Sequence, residues 1–590
     1  MFVDLFKTYK NIPKPFLPFP NPGEREVWDL LPKEALGILI SKGEKALNQP
    51  WCVLTASDYS DFTKTGRRVL FEEKYFARRH KLNDLVMAEI AEWQGRFVDE
   101  IINGIWLICE ESGWQLPAHN TYVRDTPQHP LPDNKRPVLD LFACETGASL
   151  AFCHYMLGEK LSPVSERILD ELNERIIKPY TNEHFWWMGS GDEKMCNWTP
   201  WCTQNVLIVS ALLGTTCGTV EKACRSLDYF IKDYDKDGSC DEGAKYYGHA
   251  ALCLYGAMEM LCGITNGHFN LIYENEKIRN MADFIRHMHI SDDYYFNFAD
   301  CPPKLPPPGA LEFLFGLRTK NPYLCKFAAD GIKKQGLFEP STDLSLFTRL
   351  STLFVIDAVE KFTDEFIDFS DRFFSGAGVL VARDTKIAMA VKAGNNGDNH
   401  NHNDVGSLTL YFNGKPFLID VGVGTYKKDT FSPERYNIWT MQSAYHNLPT
   451  FNGIMQEPGA DYKASDVSYF IGKDDTQISM DISGAYPKEA ELMRYTRTVR
   501  LKKGIGVFIK DEFDGKIPAT LSLMLCNRPI INIQSVMLDD VGELYTDGQS
   551  EIKLEEININ DPKLLEVWPR VIYRLLITFE KRLLLHILPI

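Results

Sequence analysis

The hydrophobic period of this 590-residue chain changes once, and no other feature of the sequence constrains its fold as strongly. From Met87 to Gly113 apolar residues recur at steps of three and four, which predicts one long amphipathic helix. Similar helical stretches follow as far as about Lys361. After Phe373 the apolar segments are short and β-rich, as in GVLVAR (378–383), which is typical of strands. The sequence therefore predicts a helical part followed by a sheet part.

The connections within each part indicate how its elements pack. Most helical stretches are joined by short polar or Gly/Pro segments, and such helix pairs bury their apolar stripes by stacking, as a solenoid or a closed toroid. In the second part Asn413-Gly414 separates two β-rich segments and predicts a tight hairpin. We predict an α+β multidomain fold with a helical domain over residues 1–365 and an antiparallel β-sandwich domain over residues 366–590. The sandwich has either two layers in one domain or a smaller C-terminal satellite.

Composition and charge narrow the range of functions. The net charge of −16 excludes a general nucleic-acid binder, because such proteins need a basic surface to displace counterions. A local basic cleft still permits an anionic substrate. We find neither a signal-peptide pattern nor an apolar stretch of membrane-spanning length, and no CxxC pair occurs. We therefore predict a cytoplasmic protein with reduced thiols and no membrane partner, and we leave open whether it forms a homo-oligomer.

The densest polar cluster is the turn NNGDNHNHND (395–404), which contains His400 and His402. The predicted hairpin returns the strand that holds Asp420 beside the strand that follows this turn. His446 can complete a set of two imidazoles and one carboxylate, which suits Zn²⁺ with a fourth position left for water. Ca²⁺ is disfavoured because imidazoles are poor ligands for a hard cation. The alternative is an Asx-rich turn whose histidines only cap loops.

A second cluster, DGSCDEGAKYYGH (237–249), follows one helical pattern and opens the next. A tyrosine at the entrance of a helix, such as Tyr246, can donate or accept a proton if nearby cations lower its pKa. The alternative is a packing role, in which Tyr246 and Tyr247 cover the core and the acidic residues favour the helix N-terminus.

Aromatic residues concentrate in the helical part, where nine of the 11 tryptophans lie within residues 28–201. His184, Asn197, Trp198 and Trp201 belong to this region. Flat rings cover pyranose faces and amides bind hydroxyl groups, so the combination is typical of a sugar-binding cleft. The alternative is that tryptophan fills the core between paired helices.

Together these motifs resemble the heparinase II/III-like family of polysaccharide lyases. The sharpest part of the resemblance is HNHNDVGSLTLYFNGKPFLIDVGVGTY (400–426) followed by SAYHNLPTFNGIMQ (443–456). The segments CNWTPWC (196–202), DGSCDEGAKYYGHA (237–250) and FNFADCPP (296–303) are also similar to family segments. The resemblance implies an incomplete (α/α) toroid followed by antiparallel β-sandwich sheets, in agreement with the change of hydrophobic period.

The resemblance also implies β-elimination of uronic-acid-containing glycans of the glycosaminoglycan type, with heparin or heparan sulfate favoured, to give 4,5-unsaturated uronate ends. Elimination requires neutralisation of the uronate carboxylate, a base for the C5 proton and an acid for the leaving O4. By the family pattern Asn197 is the candidate neutraliser, Tyr246 is the acid and also a candidate base, and His400 is the alternative base.

Further roles follow from the same motifs. His402, Asp420 and His446 match the metal ligands of the family, and we expect a bound ion mainly to fix the loop over residues 399–404. Substrate contacts are predicted for six residues, namely Trp198, Trp201, His184, Gln204, Glu242 and Arg435.

Three alternatives remain open at the level of the sequence. Arg494 and Arg497 on a predicted strand either contact sulfate groups or are solvent-facing charges. The (α/α) toroid also hosts glycoside hydrolases, for which Asp241 and Glu242 are candidate paired carboxylates. A non-catalytic glycan-binding protein is the remaining interpretation.

Overall fold

The computed structural model describes residues 1–214, 217–363, 370–546 and 550–590. The chain divides into two compact units. The helical unit comprises Met1–Tyr234, Gly248–Ala282 and Pro308–Glu365, and the sheet unit comprises Asp235–Tyr247, Asp283–Pro307 and Phe366–Ile590. The predicted domain boundary between residues 365 and 366 lies outside the described residues. Two segments from earlier in the chain thus group with the sheets.

Helices fill the first part of the chain, as the 3.6-residue period predicts, and one further short helix (Pro562–Leu565) lies in the sheet part. In the described residues they are α1 (Phe2–Thr8), α2 (Arg25–Trp28), α3 (Lys33–Leu47), α4 (Ala56–Thr65), α5 (Val69–Glu92), α6 (Val98–Cys109), α7 (Leu141–Leu157), α8 (Ser165–Leu172), α9 (Lys178–Asn182), α10 (Trp198–Leu213), α11 (Cys217–Asp233), α12 (Cys253–Ile264), α13 (Glu276–Met288), α14 (Ala310–Thr319), α15 (Pro322–Gln335), α16 (Leu346–Glu360) and α17 (Pro562–Leu565).

The prediction of one helix across residues 87–113 is wrong, because α5 and α6 are separate helices. Trp93 ends α5 in the left-handed region with φ +58°, and its N–H donates to Glu89 O. Gly95 follows with φ +85°. The buried Glu89 carboxylate then accepts the N–H groups of Gly95 and Phe97 at the start of α6. The apolar period continues across this break because both helices bury residues in the core.

Most strands lie in the second part of the chain, from Arg372 onward. In chain order they are β1 (His289–Ser291), β2 (Tyr294–Tyr295), β3 (Arg372–Phe374), β4 (Val379–Arg383), β5 (Ile387–Lys392), β6 (Asn395–Asn396), β7 (Leu408–Phe412), β8 (Lys415–Leu418), β9 (Pro449–Phe451), β10 (Gly459–Lys463), β11 (Ser465–Ile471), β12 (Asp475–Asp481), β13 (Leu492–Lys502), β14 (Gly506–Gly515), β15 (Ala519–Leu525), β16 (Ile530–Ile531), β17 (Ser535–Leu538), β18 (Gly542–Thr546), β19 (Glu551–Asn558), β20 (Val571–Phe579) and β21 (Arg582–Pro589).

Three antiparallel sheets form the sheet unit. Their strand orders are β11-β12-β13-β14-β21-β18-β17-β16, β19-β20-β15-β9 and β3-β4-β5-β7-β8, and two-stranded pairs join β1 with β2 and β6 with β10. One buried apolar cluster takes side chains from all three sheets, for example Leu410, Val499 and Leu521. This shared cluster favours one domain over a separate C-terminal satellite.

The predicted hairpin at Asn413-Gly414 is confirmed. Asn413 and Gly414 have φ values of +50° and +77°, and Phe412 pairs with Lys415 across the turn between β7 and β8. Two left-handed residues are what a type I′ turn requires. No helix in the described ranges is long and apolar enough to cross a membrane.

Candidate active site

One buried glutamine holds the polar turn over residues 395–404. Gln456 accepts the N–H of Val405 at 3.1 Å and donates its amide to Val405 O at 2.7 Å. Its backbone O accepts from Asn403 Nδ2 at 3.1 Å, and its Oε1 accepts from Asn396 Nδ2 at 3.1 Å. These bonds fix the turn on both sides of its two histidines.

The two histidines of this turn have different environments. His402 is fully buried, whereas the His400 side chain is 23% exposed. His400 has φ +56°, which lies in the left-handed region that few non-glycine residues adopt. A strained residue of this kind is frequently found where a side chain must face a reacting group.

Asn447 fixes the backbone beside two further candidates, Asp420 and His446. Its amide donates to Leu408 O at 2.6 Å and to Ile419 O at 3.1 Å. The single side chain thus joins the start of β7 to the residue that follows β8. The neighbours of these anchored residues in the chain are the predicted metal ligands.

His402, Asp420 and His446 form one buried group, in which one ligand atom from each residue lies within 4.8 Å of the others. His402 Nδ1, Asp420 Oδ2 and both His446 ring nitrogens have no hydrogen-bond partner among the described residues. His446 Nδ1 lies 3.2 Å from Asp420 Oδ2 without hydrogen-bond geometry. Buried polar atoms are otherwise nearly always paired. These nitrogen and oxygen atoms without hydrogen-bond partners are suitable ligands for a divalent cation such as Zn²⁺.

Asp420 and His446 influence each other's pKa within this group. Burial alone would raise the pKa of Asp420, but His446 and His402 outweigh burial and hold it below its usual value. Burial alone would lower the pKa of His446, and the Asp420 carboxylate outweighs this effect and raises it. The Asp420 carboxylate is therefore ionised, as a ligand must be.

Glycine allows the segment that holds Tyr246 to approach the segment that holds Asp300. Gly243 has φ +86°, and a Cβ at this position would lie 2.4 Å from Phe298 O. Any other residue would force the two segments apart. This close approach explains why a glycine precedes the Ala-Lys-Tyr turn.

Asp300 accepts hydrogen bonds from four side chains and is fully buried. Oδ1 accepts from His402 Nε2 at 3.2 Å and from Arg435 at 2.6 Å, and Oδ2 accepts from His400 Nδ1 at 2.9 Å, from Tyr426 at 3.2 Å and again from Arg435 at 3.2 Å. Burial alone would raise the pKa of Asp300, but its imidazole and guanidinium partners outweigh burial and hold it well below the usual range. The carboxylate is therefore acceptor-only.

Tyr246 contacts this network through its hydroxyl and its ring. Its OH lies 3.5 Å from His400 Nδ1 and 3.0 Å from Tyr426 OH. The Tyr246 and His400 rings stack at 4.4 Å with an interplanar angle of 25°. Burial raises the Tyr246 pKa well above its ordinary value, and the hydrogen bond with Tyr426 only partly offsets this effect. The predicted cation effect on this pKa is thus outweighed, and the phenol is neutral at neutral pH.

The other predicted residues of the helical unit lie near the N-terminus of α10. Asn197 is the N-cap residue of α10, makes no side-chain capping bond and is 7% exposed. The half-buried Trp198 ring contacts His119 edge-on at 4.7 Å and Trp186 at 5.1 Å. His119 Nδ1 in turn lies 2.7 Å from the buried Asp140 carboxylate, which fixes the imidazole.

Trp201 is oriented by two partners within the same unit. Its ring stacks on His249 at 4.2 Å with an interplanar angle of 5°, and its Nε1 donates to Glu145 Oε2 at 2.5 Å. Burial and the nearby Asp343 raise the pKa of Glu145 to about 8, despite the hydrogen bond from Trp201. Glu145 is therefore protonated at neutral pH.

Of three further predicted substrate-binding residues, one is exposed and two are buried. His184 is exposed. Gln204 is 5% exposed and packs against α12, where a Cβ on Gly256 would lie 2.3 Å from Gln204 Oε1. Glu242 is 4% exposed, and its Oε2 lies 3.7 Å from His400 Nε2. Their substrate contacts stay predictions.

Arg435 uses four of its five N–H groups within the protein. Two N–H groups bind Asp300, Nε donates to Asn401 O at 2.9 Å, and NH1 donates to Thr430 O at 3.0 Å. This residue neutralises the buried carboxylate, and its predicted contact with substrate stays a prediction.

The two arginines of β13 have different surroundings. Arg494 is exposed and pairs with Asp466 at 2.9 Å. Arg497 is 2% exposed and forms a buried two-point ion pair with Asp511. Both sequence interpretations of Arg497, as a sulfate contact and as a solvent-facing charge, are therefore wrong.

Asp300 and Tyr426 were missed as site residues by the sequence analysis. Each nevertheless lies in a segment similar to the family, Asp300 in FNFADCPP and Tyr426 at the end of the His-rich motif. The sequence signal that could have found them is that both are polar residues within segments similar to the family. Their roles follow only from partners far away in the chain.

Comparisons with known proteins agree with this fold. Residues 368–555 match the family model described as "Heparinase II/III-like, C-terminal", which confirms the family resemblance for this part of the chain. No curated protein matches the sequence.

Solved structures extend the likeness over nearly the whole chain. A mutant of heparan sulfate lyase HepC from Pedobacter heparinus has a TM-score of 0.61 at 14% identity, over 94% of this chain and 88% of that chain. The heparinase III BT4657 gene product has 0.59 at 14%, over 100% and 93%. The chondroitin AC lyase of Streptomyces coelicolor A3 in complex with chondroitin sulphate has 0.52 at 10%, over 96% and 83%. At such identities the likeness establishes the fold, and the predicted fold class is confirmed.

Proposed function

We propose that the protein is a polysaccharide lyase that cleaves uronic-acid-containing glycans by β-elimination, with heparin or heparan sulfate as the favoured substrate. One observation carries the proposal: the Tyr246 hydroxyl and the His400 imidazole share a buried hydrogen-bonded network with the His402–Asp420–His446 group. The similar structures include heparan sulfate and chondroitin lyases, which supports an acidic polysaccharide.

Tyr246 is the proposed general acid. Its raised pKa keeps the phenol protonated at neutral pH, so it can donate a proton to the leaving O4 of the sugar. A neutral phenol is a poor proton acceptor until it has been ionised. The base is therefore assigned to a different residue.

His400 is the proposed base for the C5 proton. Asp300 accepts a hydrogen bond from Nδ1, so Nδ1 carries the proton of the neutral imidazole and Nε2 holds the free electron pair. The Glu242 carboxyl lies 3.7 Å from Nε2, the atom proposed to accept the proton.

Asn197 is the proposed neutraliser of the uronate carboxylate. The Asn197 side chain makes no capping bond to α10, and we propose that its amide N–H groups donate to the substrate carboxylate. A donated hydrogen bond stabilises the charge that develops on the carboxylate as the C5 proton leaves.

The buried His-Asp-His group would hold the metal, and we propose Zn²⁺. His402, Asp420 and His446 would each supply one ligand, and the ion would add a fixed positive charge beside the polar turn. His402 belongs to the same short loop as His400, the proposed base. Fixing one imidazole therefore restrains the other.

The function is tested by incubating the purified protein with heparin, heparan sulfate, chondroitin sulfate, hyaluronan and alginate, and by following the ultraviolet absorbance of unsaturated uronate. We expect absorbance to grow fastest with heparin or heparan sulfate. The His400→Asn variant tolerates the left-handed backbone and removes the imidazole, so it is expected to lose this activity. No new absorbance with any of the five glycans would contradict the proposal.

Product analysis separates the alternatives. Saturated products would indicate a hydrolase, and binding without turnover would indicate a glycan-binding protein. Asp241 accepts a hydrogen bond from Asn399 Nδ2 at 3.2 Å, which connects it to the polar turn. The cytoplasmic location and the oligomeric state stay predictions, to be measured by cell fractionation and by light scattering.

A further inference from the structure

We propose that Asp300 is a positioning residue that couples the metal site to the orientation of His400 and Tyr426. The inference rests on the proposed lyase function for its catalytic half only. Its metal half concerns binding and is measurable without any substrate.

Contacts of the neighbouring residues Asn297 and Phe298 fix the backbone segment that carries Asp300. Asn297 donates to Asp420 O at 3.2 Å, which attaches the segment to the loop that carries a metal ligand. On the other side Phe298 O lies against Gly243. The carboxylate is thus held between the two halves of the site and is not free to follow either half alone.

The Oδ1 side of Asp300 faces the metal group. Oδ1 accepts from His402 Nε2, so Nε2 carries the ring proton and Nδ1 is left with an electron pair. His402 Nδ1 is one of the buried atoms without a hydrogen-bond partner among the described residues. A carboxylate behind a metal-binding imidazole fixes its tautomer and raises its basicity, which strengthens metal binding.

The Oδ2 side faces the proposed catalytic residues. Oδ2 accepts from His400 Nδ1 and from Tyr426 OH. Tyr426 has a single proton, and because it donates this proton to Asp300, its oxygen is left to accept from Tyr246 at 3.0 Å. One carboxylate therefore sets the tautomer of His400 and, through Tyr426, the hydroxyl direction of Tyr246.

An amide at position 300 cannot satisfy both sides. In Asp300→Asn one terminal atom becomes an NH₂ donor, which would face an N–H or O–H donor on either the metal side or the catalytic side. The substitution also leaves the buried guanidinium of Arg435 without its carboxylate. Asp300→Asn/Arg435→Gln removes both charges together and serves as the second variant.

The sheet unit offers a matched control. Asp283 also accepts from a buried histidine, His287 Nε2 at 2.9 Å, and from an arginine, Arg286 NH2 at 2.7 Å, but it belongs to α13 and not to the site. Asp283→Asn therefore repeats the chemical change in a purely structural carboxylate.

The experiment measures zinc affinity by competition with a chelator, the visible spectrum of the cobalt(II)-substituted protein, and kcat and KM at saturating zinc. For Asp300→Asn we expect zinc affinity to fall about 10- to 100-fold, the cobalt spectrum to shift, and kcat to fall more than KM changes. Asp283→Asn should leave zinc affinity and the spectrum unchanged even if it melts earlier.

Zinc affinity and cobalt spectrum within twofold of the parent in Asp300→Asn would overturn the inference. If that variant does not fold, the same criterion applies to Asp300→Asn/Arg435→Gln. A protein that shows the zinc effect but no elimination on any glycan would retain the metal half and refute the lyase proposal. The two failures are thereby distinguished.

Discussion

The sheet unit and the helical unit hold their predicted functional residues in opposite ways. In the sheet unit Tyr246, His400 and the His-Asp-His group are joined through one buried carboxylate. In the helical unit Trp198 and Trp201 remain half-buried and contact other rings. Proton transfer needs fixed tautomers and excluded water, whereas sugar binding needs accessible ring faces. We therefore propose that the first set carries out the chemistry and that the second set binds the sugar.

The largest effect is expected from the sheet unit. Tyr246→Phe removes the proposed acid and should lower kcat about 10²- to 10⁴-fold, with little change in KM. Initial rates of absorbance increase measure this change. The matched control is Tyr469→Phe on β11, where the side chain is 53% exposed, and this variant should keep the parent rate. Equal rates for the parent and Tyr246→Phe would show that the Tyr246 hydroxyl takes no part in catalysis.

Removal of the metal should act next most strongly, and again on the sheet unit. Chelation leaves three buried ligands unsatisfied, so we expect the melting temperature to fall by several degrees and the rate to drop. At a thousandfold excess over Kd a ligand stabilises a protein by about 4 kcal/mol. Differential scanning fluorimetry should show recovery with Zn²⁺ and not with Ca²⁺. Unchanged melting and full activity after complete removal would refute any role of the metal.

The helical unit is expected to affect binding rather than rate. Trp198→Ala removes a ring face, and the loss of roughly 1.4 kcal/mol of ring contact corresponds to a KM about tenfold higher with kcat nearly unchanged. Steady-state kinetics on the best glycan gives both constants. Trp106→Ala, at a tryptophan that is 53% exposed on α6, is the matched control and should alter neither constant. A drop in kcat alone for Trp198→Ala would contradict the division of roles.

The smallest effect concerns Glu145, a buried acid that accepts a hydrogen bond from Trp201. Glu145 has a pKa of about 8 in the folded protein against 4.5 for an ordinary glutamate, so the native state holds more protons than the unfolded state between these pH values. Stability should therefore decrease as pH rises from about 4.5 to about 8. Glu145→Gln cannot titrate and should gain a few degrees of melting temperature relative to the parent between pH 5 and pH 8. A constant difference at both pH values would show that Glu145 is already ionised.

Local patterns were sufficient to predict the parts of the site that are close in sequence. The Asn413-Gly414 turn fixed the hairpin, and the His-x-His turn contained two of the residues now seen around Asp300. These features depend on the conformational preferences of neighbouring residues in a turn, which can be predicted from the local sequence.

Long-range partners were not predictable in the same way. Asp300 contacts His400, His402 and Arg435, which lie at least 100 residues away in the chain. No periodic pattern connects such positions. The break at Trp93 was hidden for a different reason, since the apolar period runs through it.

Arg497 was misjudged although a signal was present. On β13 Tyr495, Arg497, Val499 and Leu501 alternate with more exposed residues, so period two places the arginine on the buried face. Its partner Asp511 is directly opposite in the register of β13 and β14. Alternation alone would have predicted a buried arginine that needs a carboxylate across the strand pair.

We propose that the Tyr246–His400 cluster breaks glycans by elimination and not by hydrolysis. Mass spectrometry of products formed in water that carries a heavy oxygen isotope tests this claim most directly, because elimination takes no oxygen from solvent. We expect the parent protein to give unsaturated products without the heavy isotope, and Tyr246→Phe to give no product. Saturated products that carry one heavy oxygen would contradict it.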